Sequence, residues 1–144
     1  MILEFKCVDG GMHPIVGQVW HQFPACVVEG GERYDRYLCS ALFMTMHSPE
    51  DCANVLALFD TVLAGQSKQA TFGLNDTEVT VTDRGVQVDI LIEDDATADG
   101  LFDLAEFRKA VVGWHDFLSA SCTRAHSVNV DISSSQIEPA QSGI

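Results

Sequence analysis

From residue 70 to residue 92, apolar and polar positions alternate in three short runs. Ala70, Phe72 and Leu74 form the first. Val79 and Val81, set between Glu78, Thr80 and Thr82, form the second. Val86, Val88, Ile90 and Ile92 form the third. Successive side chains of a strand point to opposite faces, so the pattern predicts a three-strand meander with one wet face. Asn75-Asp76 and Asp83-Arg84-Gly85 supply its turns.

Two other segments carry helical spacing. Val55, Leu56, Phe59, Val62 and Leu63 make one stripe over residues 49–64. Ser48 suits the N-cap, Pro49 the first helical position, and Gly65 the stop. Leu104, Phe107, Val111, Trp114 and Leu118 make a second stripe that runs to about residue 120, capped by Asp103 with Glu106 closing the box. Arg108, Lys109 and Asp116 lie off that stripe. His115 and Asp116 are neighbours on this helix, so their side chains are expected to diverge.

The N-terminal third is cut by glycine pairs. Residues 2–8 read as a strand ended by a hairpin turn at Asp9-Gly10-Gly11. Residues 13–20 read as its partner, broken by Pro24, with 25–29 an edge or bulged piece. Gly30-Gly31 predicts a second hairpin. Residues 34–47 are apolar on both alternating faces and read as a long mid-sheet strand covered on each side, with a buried helix as the alternative reading. Val128, Val130 and Ile132 suggest a last short strand. The order strands, helix, three-strand meander, helix predicts an α+β fold: an antiparallel sheet of about six strands with two amphipathic helices. One domain is expected over residues 1–132, with a flexible tail over 133–144.

Charge changes the picture more than length does. Among the 144 residues, 8 Lys+Arg face 21 Asp+Glu, a formal net charge of −13. That balance argues against binding to nucleic acid and to anionic lipid, and it favours a basic protein partner. The start of the chain has no basic-then-apolar leader and no apolar stretch is long enough for a bilayer, so a cytoplasmic location is expected. Five scattered cysteines with no CxxC spacing read as reduced core thiols and not as a zinc site.

Motifs for chemistry are sparse. No GxSxG, HExxH or glycine-rich phosphate loop occurs, and the five histidines stand apart from any orienting acid. The chain is therefore expected to be no enzyme and to need no cofactor. Trp20, His21, Phe23 and Pro24 gather beside a strand break, where the aromatics either fill the core or meet a partner. Residues 95–106 resemble a calcium-binding EF-hand loop, with Asp95, Thr97, Asp99, Asp103 and Glu106 at ligand positions and Gly100 at the sixth. Thr97 replaces the usual acid or amide, and a strand pattern precedes the loop where an EF-hand has a helix.

The meander, the acidic loop, and then Asp103-Leu104-Ala105-Glu106-Phe107-Arg108-Lys109-Ala110 with Trp114, Phe117 and Leu118 resemble the C-terminal part of immunity proteins from bacterial toxin–immunity systems. The likeness covers about the last third of the chain. It implies a cytoplasmic inhibitor that binds a cognate toxin domain, often a basic nuclease. The expected contact surface is the acidic loop Glu93, Asp94, Asp95 and Asp99, with Asp89 beside it.

Overall fold

The computed structural model describes residues 1–91 and 98–133. Their order is β1 (Ile2–His13), β2 (Gly17–Ala25), a π-turn (Tyr34–Leu38) running into α1 (Cys39–Thr45), α2 (Pro49–Leu63), β3 (Gln69–Leu74), β4 (Thr77–Thr82), β5 (Gly85–Ile90), a 3-10 turn (Ala98–Gly100), β6 (Leu101–Phe102), α3 (Leu104–Ser119) and β7 (His126–Asp131). The fold is α+β and its described strand pairs are antiparallel. Among the described residues the strands divide into two sheets, β2-β1-β7 and β3-β4-β5-β6.

The meander and both capped helices form where the alternation and the caps place them. Ser48 Oγ accepts from the Asp51 N–H at 3.1 Å, and Asp103 Oδ2 accepts from the Glu106 N–H at 3.1 Å. α1 and α3 each touch both sheets, and α2 lies along α3. The helices therefore join the sheets, and one continuous core runs from Leu3 and Phe5 through Phe59 and Trp114 to Val79 and Val88.

Three expectations for the first half are corrected. Residues 34–45 of the expected 34–47 strand are helical, and Met46 leaves the helix in an extended conformation. Tyr34, Tyr37, Leu38, Ala41 and Leu42 are the buried positions, a three-and-four spacing that a helix turns to one side. The intervening Cys39 is buried too, because α1 packs against both sheets. The Gly30-Gly31 turn accordingly leads into this helix, with the Asp35 N–H donating to the Gly31 carbonyl at 2.9 Å. The first hairpin also turns later than expected. β1 continues through Asp9-Gly10-Gly11, where the register shifts, and the chain reverses beyond His13. The His21 ring lies across Gly10, so a larger residue there would have to displace that exposed side chain. Pro24 stays inside β2, which is tolerated because β2 is an edge strand.

The cysteines do not all remain thiols. Cys7 on β1 and Cys122 after α3 form a disulfide with Cα atoms 5.8 Å apart, across a separation of 115 residues. Linear spacing hides this pair, because β7 pairing with β1 is what carries the C-terminal part of the chain back to Cys7. Cys26, Cys39 and Cys52 are free and buried. Burial pushes the Cys39 thiol far up and the Cys52 thiol up to about 12, so both stay protonated and unreactive.

Replacing both Cys7 and Cys122 by serine should cost about 2–5 kcal/mol of stability in denaturant unfolding, since the bridge constrains most of the unfolded chain. Thiol titration in denaturant should return the three free cysteines without reductant and all five with it. Five thiols in oxidised protein would rule the bridge out.

Candidate acidic binding face

The tight turn at Asp83-Arg84 sets Thr82 opposite Gly85, and this register places Glu78 directly opposite Asp89. Val79, Val81, Val86 and Val88 take the inner face and are buried. Glu78 and Asp89 therefore share the outer face, where both are half-buried. Like charges facing each other across a strand pair are destabilising. Among the described residues neither carboxylate has an ion pair, and Asp89 Oδ1 accepts only a 3.3 Å bond from Gln87 Nε2. Glu78 belongs with the expected Asp89 on this face. The register, readable from the length of the turn at 83–84, is the signal that brings it in.

The chain returns against the edge of β5 at Ala98–Gly100 and goes on to pair with it as β6. A Cβ on Gly100 would strike the Val88 carbonyl oxygen and lie 3.0 Å from Gln87 Nε2, so this close approach requires glycine. Asp99 is exposed beside it. Arg33 holds the returning segment: its guanidinium donates to the Asp99 carbonyl at 3.1 Å and the Leu101 carbonyl at 2.8 Å. The same group lies 4.6 Å from the ring centres of both Tyr34 and Phe102, a cation–π sandwich. The Arg33 charge is thus spent on backbone and rings, and the Asp99 carboxylate has no ion pair among the described residues.

Of the expected contact residues, Asp89 lies on the outer face of β5, whereas Asp99 is exposed next to Gly100 and lines a cleft with Arg33, Arg36 and Tyr37. Glu93, Asp94 and Asp95 lie outside the described residues. So do Asp95 and Thr97 of the calcium-loop expectation. Its other members have roles in the fold: Asp103 caps α3, and each Glu106 carboxylate oxygen accepts from the Tyr34 hydroxyl at 3.0 Å. Strand β5 precedes the segment, and among the described residues no three His, Cys, Asp or Glu side chains converge to hold a metal.

The remaining candidates resolve as follows. Trp20 is half-buried against the core, His21 is exposed, and half-buried Phe23 stacks on Phe43 with ring centres 5.4 Å apart. His115 and Asp116 meet instead of diverging, with Nδ1 3.1 Å from Oδ1. No helix among the described residues is long and apolar enough to cross a membrane.

Glu78→Gln should raise stability by about 0.2–1 kcal/mol at low salt, with the gain shrinking as salt is added; a loss of stability would contradict the repulsion. Burial, followed by the Glu106 carboxylate, raises the Tyr34 pKa above its ordinary 10.0. The neutral hydroxyl is thus the folded-state form. Its contribution is complete below that value and is lost as pH climbs through the raised one. Denaturation curves taken at increasingly alkaline pH should show a smaller loss of stability in Tyr34→Phe than in the parent chain. No protein family, curated protein or solved structure matches this chain.

Proposed function

We propose that the chain is a non-enzymatic acidic binding protein that inhibits a basic bacterial toxin domain, in the manner of an immunity protein. The residues proposed to contact the partner are Asp89, Glu93, Asp94, Asp95 and Asp99 of the sequence expectation, joined by Glu78. The observation that supports this reading is the Glu78–Asp89 pair: two carboxylates opposed in register, with no ion pair to either among the described residues. Such an arrangement costs stability, so it is best understood as charge kept for a partner that supplies the cations. The net charge of −13 adds a long-range field of the same sign. Inhibition follows from covering the toxin's basic substrate-binding surface, with electrostatic steering setting the association rate.

The state of the thiols gives the test of compartment. The sequence expectation of a cytoplasmic protein corresponds to five reduced cysteines, whereas the Cys7–Cys122 bridge persists where thiols are not held reduced. Thiol counting on protein drawn from its native cells under alkylating conditions separates the two.

The test of function is association kinetics with the toxin domain encoded beside this gene. Asp89→Lys with Asp99→Lys should slow association by roughly tenfold or more at low salt, and added salt should slow the parent chain in the same way. An association rate indifferent to both changes, or the lack of a neighbouring toxin gene, would overturn the reading.

A further inference from the structure

We propose that this chain forms a two-fold symmetric dimer through the groove between α3 and the free edge of β7. The groove has a volume of about 830 Å³. Its floor is Val128 and Val130 of β7, and its wall is the outer side of α3, with Arg108, Val112 and Asp116 along it. Val112 and Val128 are large apolar side chains left exposed there, at 36% and 43%.

Among the described residues no strand pairs with the outer edge of β7. The Ile132 N–H donates to the Met1 carbonyl at 3.0 Å, so the even-numbered residues of β7 bond to β1. The N–H and C=O groups of Ser127 and Asn129 therefore point away from β1, and no described strand pairs with them. β2, at the opposite edge of this sheet, is blunted by Pro24 and by the register shift at Gly10-Gly11. β7 has neither device: it runs His126-Ser127-Val128-Asn129-Val130-Asp131 without proline, lysine or register shift.

A second copy is the occupant that fits, for two reasons of charge. First, the groove is balanced in a chain that is otherwise strongly acidic. Arg108 and Lys109 stand against Asp116 and Asp131, two cations to two anions, while the whole chain carries −13. Another acidic copy can approach here without the repulsion it meets elsewhere. Second, the α3 stripe is complementary to itself. Arg108, Val112 and Asp116 are spaced four residues apart on one helix side. Reversed about Val112 by a two-fold axis, Arg108 faces Asp116 of the second copy, twice, with Val112 against Val112 between them. This is the self-matching that an isologous interface requires.

The strand register follows from the same axis. A two-fold perpendicular to the sheet places one residue of β7 opposite itself. Centred on Asn129, it pairs the outward-pointing Asn129 with its own copy and sets Val128 against Val130 of the second copy beneath the helices. The two three-stranded sheets become one of six strands. Within one chain Arg108 reaches Asp60 at 3.5 Å, and Asp116 meets His115 at 3.1 Å. Exposed pairs of that kind are weak and can be exchanged. The face lies on the other sheet from Glu78 and Asp89, so the dimer does not depend on the toxin-inhibitor reading.

Sedimentation equilibrium on the full chain over a dilution series should give twice the chain mass at the concentrated end. Arg108→Asp and Asp116→Arg should each weaken the dimer by roughly tenfold or more. The double variant should recover it, because the pairs are restored with their signs swapped. Circular dichroism identifies any variant that fails to fold. Asn129→Cys, oxidised at concentrations that support the dimer, should cross-link copy to copy. A full chain that stays monomeric throughout, or a double variant no better than the singles, would overturn the proposal.

Discussion

The Trp114 indole is 2% exposed, donates its N–H to the Met46 carbonyl at 2.9 Å, and meets the Phe5 ring edge-on with centroids 5.0 Å apart. A buried indole N–H without a partner would cost about 1–3 kcal/mol, and so would the Met46 carbonyl left beyond the end of α1. One hydrogen bond satisfies both. It also fixes α3 against the end of α1 and, through Phe5, against the central strand of the three-stranded sheet. Phe107, on the same helix, stacks on Phe59 of α2 and reaches Phe102 of the four-stranded sheet. The two sheets share no strand, so their relative placement rests on α3 and α1 packing against both at once.

The two ends of the chain are tied to this arrangement by different means. β7 pairs with β1 through six residue pairs, and the Cys7–Cys122 bridge fastens the segment that leaves α3 to the same strand. The Met1 amino group lies 3.8 Å from the Asp131 carboxylate at the far end of that pairing. β1 is thus held from both sides, by β2 as a local hairpin and by β7 as a contact of long sequence separation. Closing such a separation is entropically costly, and a covalent link removes much of that cost from the folding balance.

Charge is sorted between the sheets. The outer face of the four-stranded sheet holds Glu78 and Asp89 opposed, while Arg33 is turned inward to carbonyls and aromatic rings. The groove at the other sheet mixes cations and anions in equal number over an apolar floor. A strongly acidic chain can separate two kinds of contact in this way. Under the two readings proposed above, a basic partner would be drawn to one face by the field, and a copy of the chain would be tolerated where the field is cancelled.

Local physics made much of this molecule legible. The caps at Ser48 and Asp103, the stripes of α2 and α3 and the alternation of β3 to β5 each involve residues within one or two turns, and each forms as its pattern predicts. Residues 34–45 were legible only in part. Their positions 34, 37, 38, 41 and 42 repeat as a helix does, but burial against two sheets also made the intervening Cys39 apolar, which imitates a covered strand. What tertiary structure alone decided involves partners far apart in sequence. The division into two sheets, the Cys7–Cys122 bridge, the opposition of Phe5 and Trp114 and the free edge of β7 all depend on where the C-terminal segment returns. No local propensity encodes that return, because it is set by which apolar faces can be buried together once the helices stand between the sheets.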